Sequence, residues 1–387
     1  MKAPKATAVV SDSTLYVHVP FCVVKCGYCD FNSYVVEQEH VHDQFLAALD
    51  AELRGAVLPP HPPSVFIGGG TPTLLDPDRL RSMFEVLASH TDLRACAEVT
   101  MEANPESVTR EKAEIALAAG VNRMSVGVQS FAPTTLEFLD RAHTADRARE
   151  AVAELREAGV ENLSIDLMFG TPGQTLDELH SDLRSAVELG PDHISCYNLV
   201  YEPGTKLRHA LDRGEVVRND DEVDRALFLA AREALVAAGF DPYEISNFAG
   251  PGGPCRHNDH YWLQGDYVGV GPGASSHRAG VRSTNLKTID AWATAAAAGI
   301  PPVASAETLT PLQRVGEAMW LGLRRAAGVD LVEIEQRVGY EVRERFATLL
   351  DEQQESGWIE RAGDRVCLTA DGRLVADSVS VAYLQPA

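Results

Sequence analysis

From residue 14 onward the chain alternates six times between a short β-rich run and a longer amphipathic segment, and few folds accept that rhythm. The runs are LYVHV (15–19), SVFIG (64–68), AEVTME (97–102), RMSVGV (123–128), LSIDLM (163–168) and HISCYNL (193–199). Between them lie segments such as DQFLAALDAELR, PDRLRSMFEVLASH, REKAEIALAAG and LDELHSDLRSAVELG, several of which stop at a glycine, as helices often do. Strands that alternate with helices in this way pair in parallel through helical crossovers. The fold class is therefore α/β, either a barrel or an open doubly wound sheet, and periodicity alone does not separate the two.

The rhythm breaks after residue 200. A helix near 221–238 leads into DPYEISNFAGPGGPCRHNDHYWLQGDYVGVGPGASSHR, a Gly- and Pro-rich stretch with no clear helix period, which reads as a functional lid or hairpin. From about 306, short helices precede WIERAGDRVCLTADGRLVADSVSVAYL, a small hairpin and a last helix, so this end of the chain resembles a winged helix. The organisation expected is an N-terminal tail over 1–13, the βα repeat over 14–240, a lid or connecting region over 241–305 and a C-terminal winged-helix-like α+β domain over 306–387. A length of 387 residues leaves room for one large core and one small one.

Charge and cysteine content narrow the function. The chain carries 34 basic and 56 acidic residues, a net charge of −22, which repels a phosphate backbone; nucleic acid is not an expected partner even for a winged module. No apolar run is long enough to span a bilayer, and MKAPKATAVV has neither an apolar signal core nor a cleavage site, so a cytoplasmic, reducing location is expected. Seven cysteines, an odd number, argue against a disulfide framework and for metal or redox use.

Three of the seven, Cys22, Cys26 and Cys29, fall in CVVKCGYC, immediately after the first β run, where a barrel places its chemistry. Three thiolates hold three irons of a [4Fe-4S] cluster and leave the fourth without a protein ligand. A zinc site usually closes with four ligands, and His18 and His40, on either side of the loop, are poorly spaced to complete one. The other β runs also end in groups suited to a ligand. GGGTPT (68–73) lets backbone approach closely, MEANP ends the third run with Glu102, GVQSF ends the fourth with Gln129, Arg141 follows twelve residues on, and the fifth carries Asp166.

A C-x3-C-x2-C loop with an aromatic residue before its third cysteine resembles that of the radical SAM superfamily. The succession YVHVPFC, GGGTPT, EANPES, RMSVGVQSF, DLMFGTPGQT, YEISNFA and CRHNDHYW is similar, over roughly residues 14–380, to the coproporphyrinogen oxidase-like branch of that superfamily. The resemblance implies a partial (β/α)6 TIM-like barrel followed by the winged C-terminal domain. It implies a [4Fe-4S] cluster on Cys22, Cys26 and Cys29, whose open iron takes the amino and carboxylate groups of S-adenosylmethionine, reduced by a donor such as a flavodoxin or ferredoxin. Tyr28 would shield the cluster. Tyr16, Gly69, Gly70, Thr71 and Glu102 would contact the bound cofactor, and Gln129, Arg141 and Asp166 match positions that touch a second S-adenosylmethionine in the oxidase.

Within the branch the resemblance points to the heme-chaperone group, whose members bind heme and pass it to an acceptor protein, with peripheral contact to membrane hemoproteins. The alternative is the oxygen-independent coproporphyrinogen III dehydrogenase, which decarboxylates propionate side chains by a 5′-deoxyadenosyl radical. That enzyme carries a further cysteine two residues after its third ligand, where this chain has Phe31, and a substantial extension before the first strand. Coproporphyrinogen oxidase activity is accordingly not expected. His257, Asn258, Tyr261 and Trp262 form an H-N-x-x-Y-W motif similar to a hallmark of the chaperone group. A histidine ligand and aromatic rings make His257, Tyr261 and Trp262 heme candidates, with the Cys255 thiolate nearby. The same residues also suit a purely structural role, packing the lid onto the barrel.

Overall fold

The structure, a computed structural model, describes residues 13–384, so the tail expected over 1–13 lies, Ser13 apart, outside the described residues. Strands β1 (Thr14–Val19), β2 (Ser64–Gly69), β3 (Glu98–Ala103), β4 (Arg123–Gln129), β5 (Leu163–Phe169) and β6 (His193–Asn198) lie side by side in chain order. Every neighbouring pair is parallel. A doubly wound sheet reverses its order at a switch point; this sheet does not, and it forms a partial barrel.

Local chemistry sets the crossovers. Asp76, Thr109, Thr144 and Thr175 each accept backbone N–H at the start of a crossover helix, Thr175 in a reciprocal capping box with Glu178, and Asp220 does so for the helix after β6. Gly120 and Gly159 end two of these helices with φ of 110° and 98°. Along the strands, one set of alternate residues (Val17, Ile67, Met101, Val126, Ile165) is fully buried in the main hydrophobic core. The other set is largely polar and turns into the barrel, where Tyr16, Glu102, Arg123, Ser125, Asp166 and Ser195 line open space. A barrel of the ordinary kind fills this interior with branched apolar side chains; here the interior is an open, polar-lined chamber.

The 241–305 stretch, expected as a lid or hairpin, extends the sheet at both edges. Strands β7 (Asp241–Pro242) and β8 (Asn247–Ala249) add antiparallel beyond β6. Strand β9 (Tyr267–Val270) runs parallel to β1, and β10 (Ser275–Arg278), β11 (Val281–Asn285) and β12 (Val303–Thr308) follow it antiparallel. Twelve strands result, in the order β12-β11-β10-β9-β1-β2-β3-β4-β5-β6-β8-β7. Between the two edges runs the helix Arg256–Trp262, which at seven residues is too short to imprint a period on the sequence.

Beyond it, β13 (Val329–Asp330), β14 (Ile359–Ala362) and β15 (Arg365–Leu368) form a separate antiparallel sheet with helices around their own core of Met319, Leu323, Ile334, Leu350 and Val366. This unit is joined to the Arg256–Trp262 region by a two-pronged Arg325–Asp259 pair (2.7 and 3.1 Å) and by Gln264 Nε2 donating to the Arg314 carbonyl (2.9 Å). Its helix Pro311–Gly322 contributes Glu317, Trp320 and Leu321 to the chamber wall.

Candidate functional site

The cysteine loop is tied down at both ends. Tyr34 N–H donates to the Pro20 carbonyl (2.7 Å) and Cys22 N–H to that of Tyr34 (3.0 Å). The glycines of GGGTPT make room for it: Gly70 N–H donates to the Val19 carbonyl (2.8 Å), and a Cβ at Gly70 would sit 2.7 Å from the Phe21 and Val19 carbonyl oxygens. Gly69 has φ of 104°, and a Cβ there would lie 2.3 Å from the His18 ring.

Cys22, Cys26 and Cys29, all free and part-exposed, line one cavity of about 410 Å³ together with Tyr28. The opposite walls of that cavity carry Gly69, Gly70 and Glu102, and further round Gln129, Arg141 and Asp166. Two expected residues fall elsewhere. Tyr16 faces the neighbouring larger chamber, its hydroxyl paired with His18 Nδ1 (2.9 Å). Thr71 is buried behind the loop, its hydroxyl directed at Cys22 Sγ (3.7 Å) and accepting from Asn104 Nδ2 (2.8 Å).

The donor set fits a cluster with an amino-acid ligand. Among the described residues no three His, Cys, Asp or Glu side chains converge on a single metal ion. Burial pushes the Cys22 and Cys29 thiols up, Cys29 to about 11, so metal binding must displace their protons. Among the described residues two buried polar atoms at the cavity, Arg141 Nε and Asn198 Oδ1, have no partner. The other Arg141 nitrogens are held by Asn104 Oδ1 (2.8 Å), the Gly127 carbonyl (2.7 Å) and, at 3.6 Å, Cys26 Sγ, which fixes the guanidinium beside the loop. Gln129 sits at φ of 66°, a conformation that costs free energy in a non-glycine residue and occurs here at a bulge in β4.

Glu102 accepts the Gly69 N–H (2.9 Å). Burial pushes its carboxyl up to about 7, the nearby Asp166 charge adding to the effect and the Gly69 N–H opposing it. A group raised in this way is neutral below about pH 7 and must lose its proton to pair with an ammonium. If Glu102 meets the cofactor's ammonium, as the family resemblance implies, uptake of S-adenosylmethionine is expected to release a proton and to strengthen from about pH 5.5 to about pH 8, levelling once Glu102 ionises. Calorimetry in two buffers of different ionisation heat measures the proton directly, and Glu102→Gln should flatten the profile. A flat wild-type profile would remove Glu102 from the contact.

A larger chamber of about 730 Å³ adjoins the first, with Gly69, Glu102, Ser125, Asp166, Tyr197 and Phe31 common to both walls. Phe31 is 56% exposed at this boundary. One wall is a succession of rings, Tyr16, Phe66, His257, Tyr261, Tyr267 and His277, with neighbouring centroids 4.7 to 6.3 Å apart.

The H-N-x-x-Y-W residues do not form an exposed heme surface. The helix Arg256–Trp262 closes the end of the barrel opposite the cysteine loop, where Ser64 and Glu98 begin β2 and β3. Glu98 accepts the N–H groups of Arg256 (2.8 Å) and His257 (3.0 Å) and the Cys255 thiol (3.4 Å). His257 is fully buried, Nδ1 paired with Ser64 Oγ (2.9 Å) and Nε2 with Tyr261 OH (2.8 Å); burial pushes it down to about 3. Cys255 is also fully buried. Trp262 lies outside the chamber, under the Arg324 guanidinium.

Of the three histidines lining the chamber, His18 is engaged at Nδ1 by Tyr16 and at Nε2 by the Asn32 carbonyl (2.8 Å), and His257 as above. His277 alone keeps a ring nitrogen, Nε2, without a partner, while Nδ1 lies 3.7 Å from Asp266. The sequence reading passed over His277, Tyr267, Asn104, Ser125 and Ser195. Polar residues at every second position of buried strands, as in Glu98, Thr100 and Glu102 or Arg123 and Ser125, were the signal that could have found the strand members of this group.

Residues 16–186 match the radical SAM superfamily and residues 309–375 the HemN C-terminal domain. The chain is 40% identical over 370 residues to a Mycobacterium tuberculosis protein named heme chaperone HemW, covering 94% of this chain and 93% of that one. It is 35% identical over 376 residues to the Bacillus subtilis protein of the same name, covering 95% and 98%. In structure it superimposes on the coproporphyrinogen III oxidase HemN of Escherichia coli with a TM-score of 0.84 at 23% identity, over 98% of this chain and 92% of that one, a likeness of fold.

Proposed function

Since this chain belongs to the heme chaperone HemW family of the radical SAM superfamily, we propose that it binds heme in the larger chamber and hands it to an acceptor protein, with the cluster and S-adenosylmethionine in the adjoining one. The observation that carries this reading is the paired cavities: a three-thiol chamber beside a ring-walled space of about 730 Å³, sharing Glu102, Asp166 and Phe31. Aromatic faces suit a flat tetrapyrrole.

Cys22, Cys26 and Cys29 would hold the [4Fe-4S] cluster, which when reduced supplies one electron to a bound sulfonium. Glu102 and the backbone at Gly69 would hold the cofactor's amino group, Arg141 its neighbouring polar groups, and Tyr28 would cover the cluster. His257 and Tyr261 shape the heme wall from within a closed hydrogen-bond chain. His277, whose Nε2 is buried without a protein partner and whose Nδ1 faces Asp266, would ligate iron without breaking a hydrogen bond once its ring turns Nε2 into the chamber. The heme acceptor and the electron donor are proteins of this reading, not of the chain itself.

Anaerobic reconstitution followed by a heme titration, with coproporphyrinogen III conversion assayed on the same preparation, tests it. Stoichiometric heme binding without decarboxylated product is expected. Rapid decarboxylation would instead assign the larger chamber to a porphyrinogen substrate.

A further inference from the structure

Arg123 opens β4 at the end of the barrel closed by the Arg256–Trp262 helix, and its guanidinium lines the larger chamber. It is 3% exposed. Among the described residues its side chain makes no hydrogen bond and no ion pair, and its Nε is sealed from water without a partner. That is an unusual state for a group with five donors and a permanent charge: burial opposes the charge, and the groups that sustain it, Cys255, Glu98, Tyr243 and Asp166, act through space rather than by hydrogen bonds.

The carboxylates in its field do not close on it. Glu98 is committed to Arg256 N–H, His257 N–H and the Cys255 thiol. Asp166 takes the Ser125 hydroxyl at 3.1 and 3.2 Å. Burial also drives Asp166 toward its neutral form, which weakens the compensation further. The floor of the chamber thus presents a fixed cation to whatever enters.

We propose that Arg123 is the seat of a carboxylate of the chamber's ligand, which on the functional reading above is a heme propionate. A guanidinium and a carboxylate make two parallel charge-assisted hydrogen bonds in a dry site, and a propionate is a flexible two-carbon arm that reaches a floor while the macrocycle stays against the ring wall. The proposal depends on heme as the cargo, and the test separates the two.

Ferric heme and its dimethyl ester, in which both propionates are masked, are titrated by absorbance into wild type, Arg123→Met and Arg123→Lys. Metal-free protoporphyrin and its dimethyl ester repeat the comparison without iron ligation. Wild type is expected to prefer the free acid, and Arg123→Met to lower that preference about tenfold while leaving ester affinity unchanged; Arg123→Lys should fall between. A methionine variant that weakens acid and ester alike, or that keeps the full preference, overturns the seat. Wild type that binds none of the four tetrapyrroles overturns the heme reading itself. If Arg123→Met does not fold, the same ratio measured on Arg123→Lys decides, because a change in preference between two ligands is not produced by a general loss of packing.

Discussion

Replacing Cys26 by alanine is expected to empty the smaller chamber of iron and leave the fold intact. Two thiolates hold two irons, so anaerobic reconstitution of Cys26→Ala should yield under about a tenth of the wild-type iron–sulfur absorbance and iron content. The fold has little at stake in this sulfur. Its contacts are long, 3.6 Å to Arg141 Nη1 and 3.7 Å to the Asp140 carbonyl, and its side chain is part-exposed on the cavity wall. Loss of so little is expected to move the thermal midpoint by less than about 2 °C. Heme affinity should change less than about threefold, because Cys26 lines only the smaller chamber. A variant that still assembles the cluster would sink the ligand assignment; one that loses heme as well would mean the two chambers are a single site.

The parallel strands were legible because each is a short β-rich run between amphipathic segments, and their ends fall within one residue of the structural limits. The cysteine loop was legible because three ligands adjacent in sequence must be adjacent in space. Singly wound order was not, since periodicity describes each strand and not its neighbour. The 241–305 stretch misled for a related reason: strands of two to six residues separated by glycines carry almost no period, and only pairing with β1 and β6 makes them sheet. The H-N-x-x-Y-W motif shows the limit for a site. Its residue types suit heme, yet Ser64 and Glu98, which take up its polar atoms beside its own Tyr261, come from two separate strands, and no local pattern announces that His257 has no nitrogen to spare.

That difference gives His257 and His277 opposite expected phenotypes. His257→Ala removes a fully buried ring and strands Ser64 Oγ and Tyr261 OH, each of which loses its ring partner. A cavity of that size with two unsatisfied hydroxyls is expected to cost about 3 to 5 kcal/mol, read as a lowered denaturant midpoint with unchanged slope. Protein that remains folded should keep the wild-type heme spectrum. His277→Ala removes a ring that, among the described residues, makes no hydrogen bond and has Asp266 at 3.7 Å, so its stability cost should be about 1 to 2 kcal/mol. The heme spectrum should change in this variant, and added imidazole should restore it by entering the space the ring has left. If the spectrum instead follows His257, the buried chain Ser64–His257–Tyr261 must open when heme binds, and the helix that closes the barrel would then be a moving part of the chaperone rather than its floor.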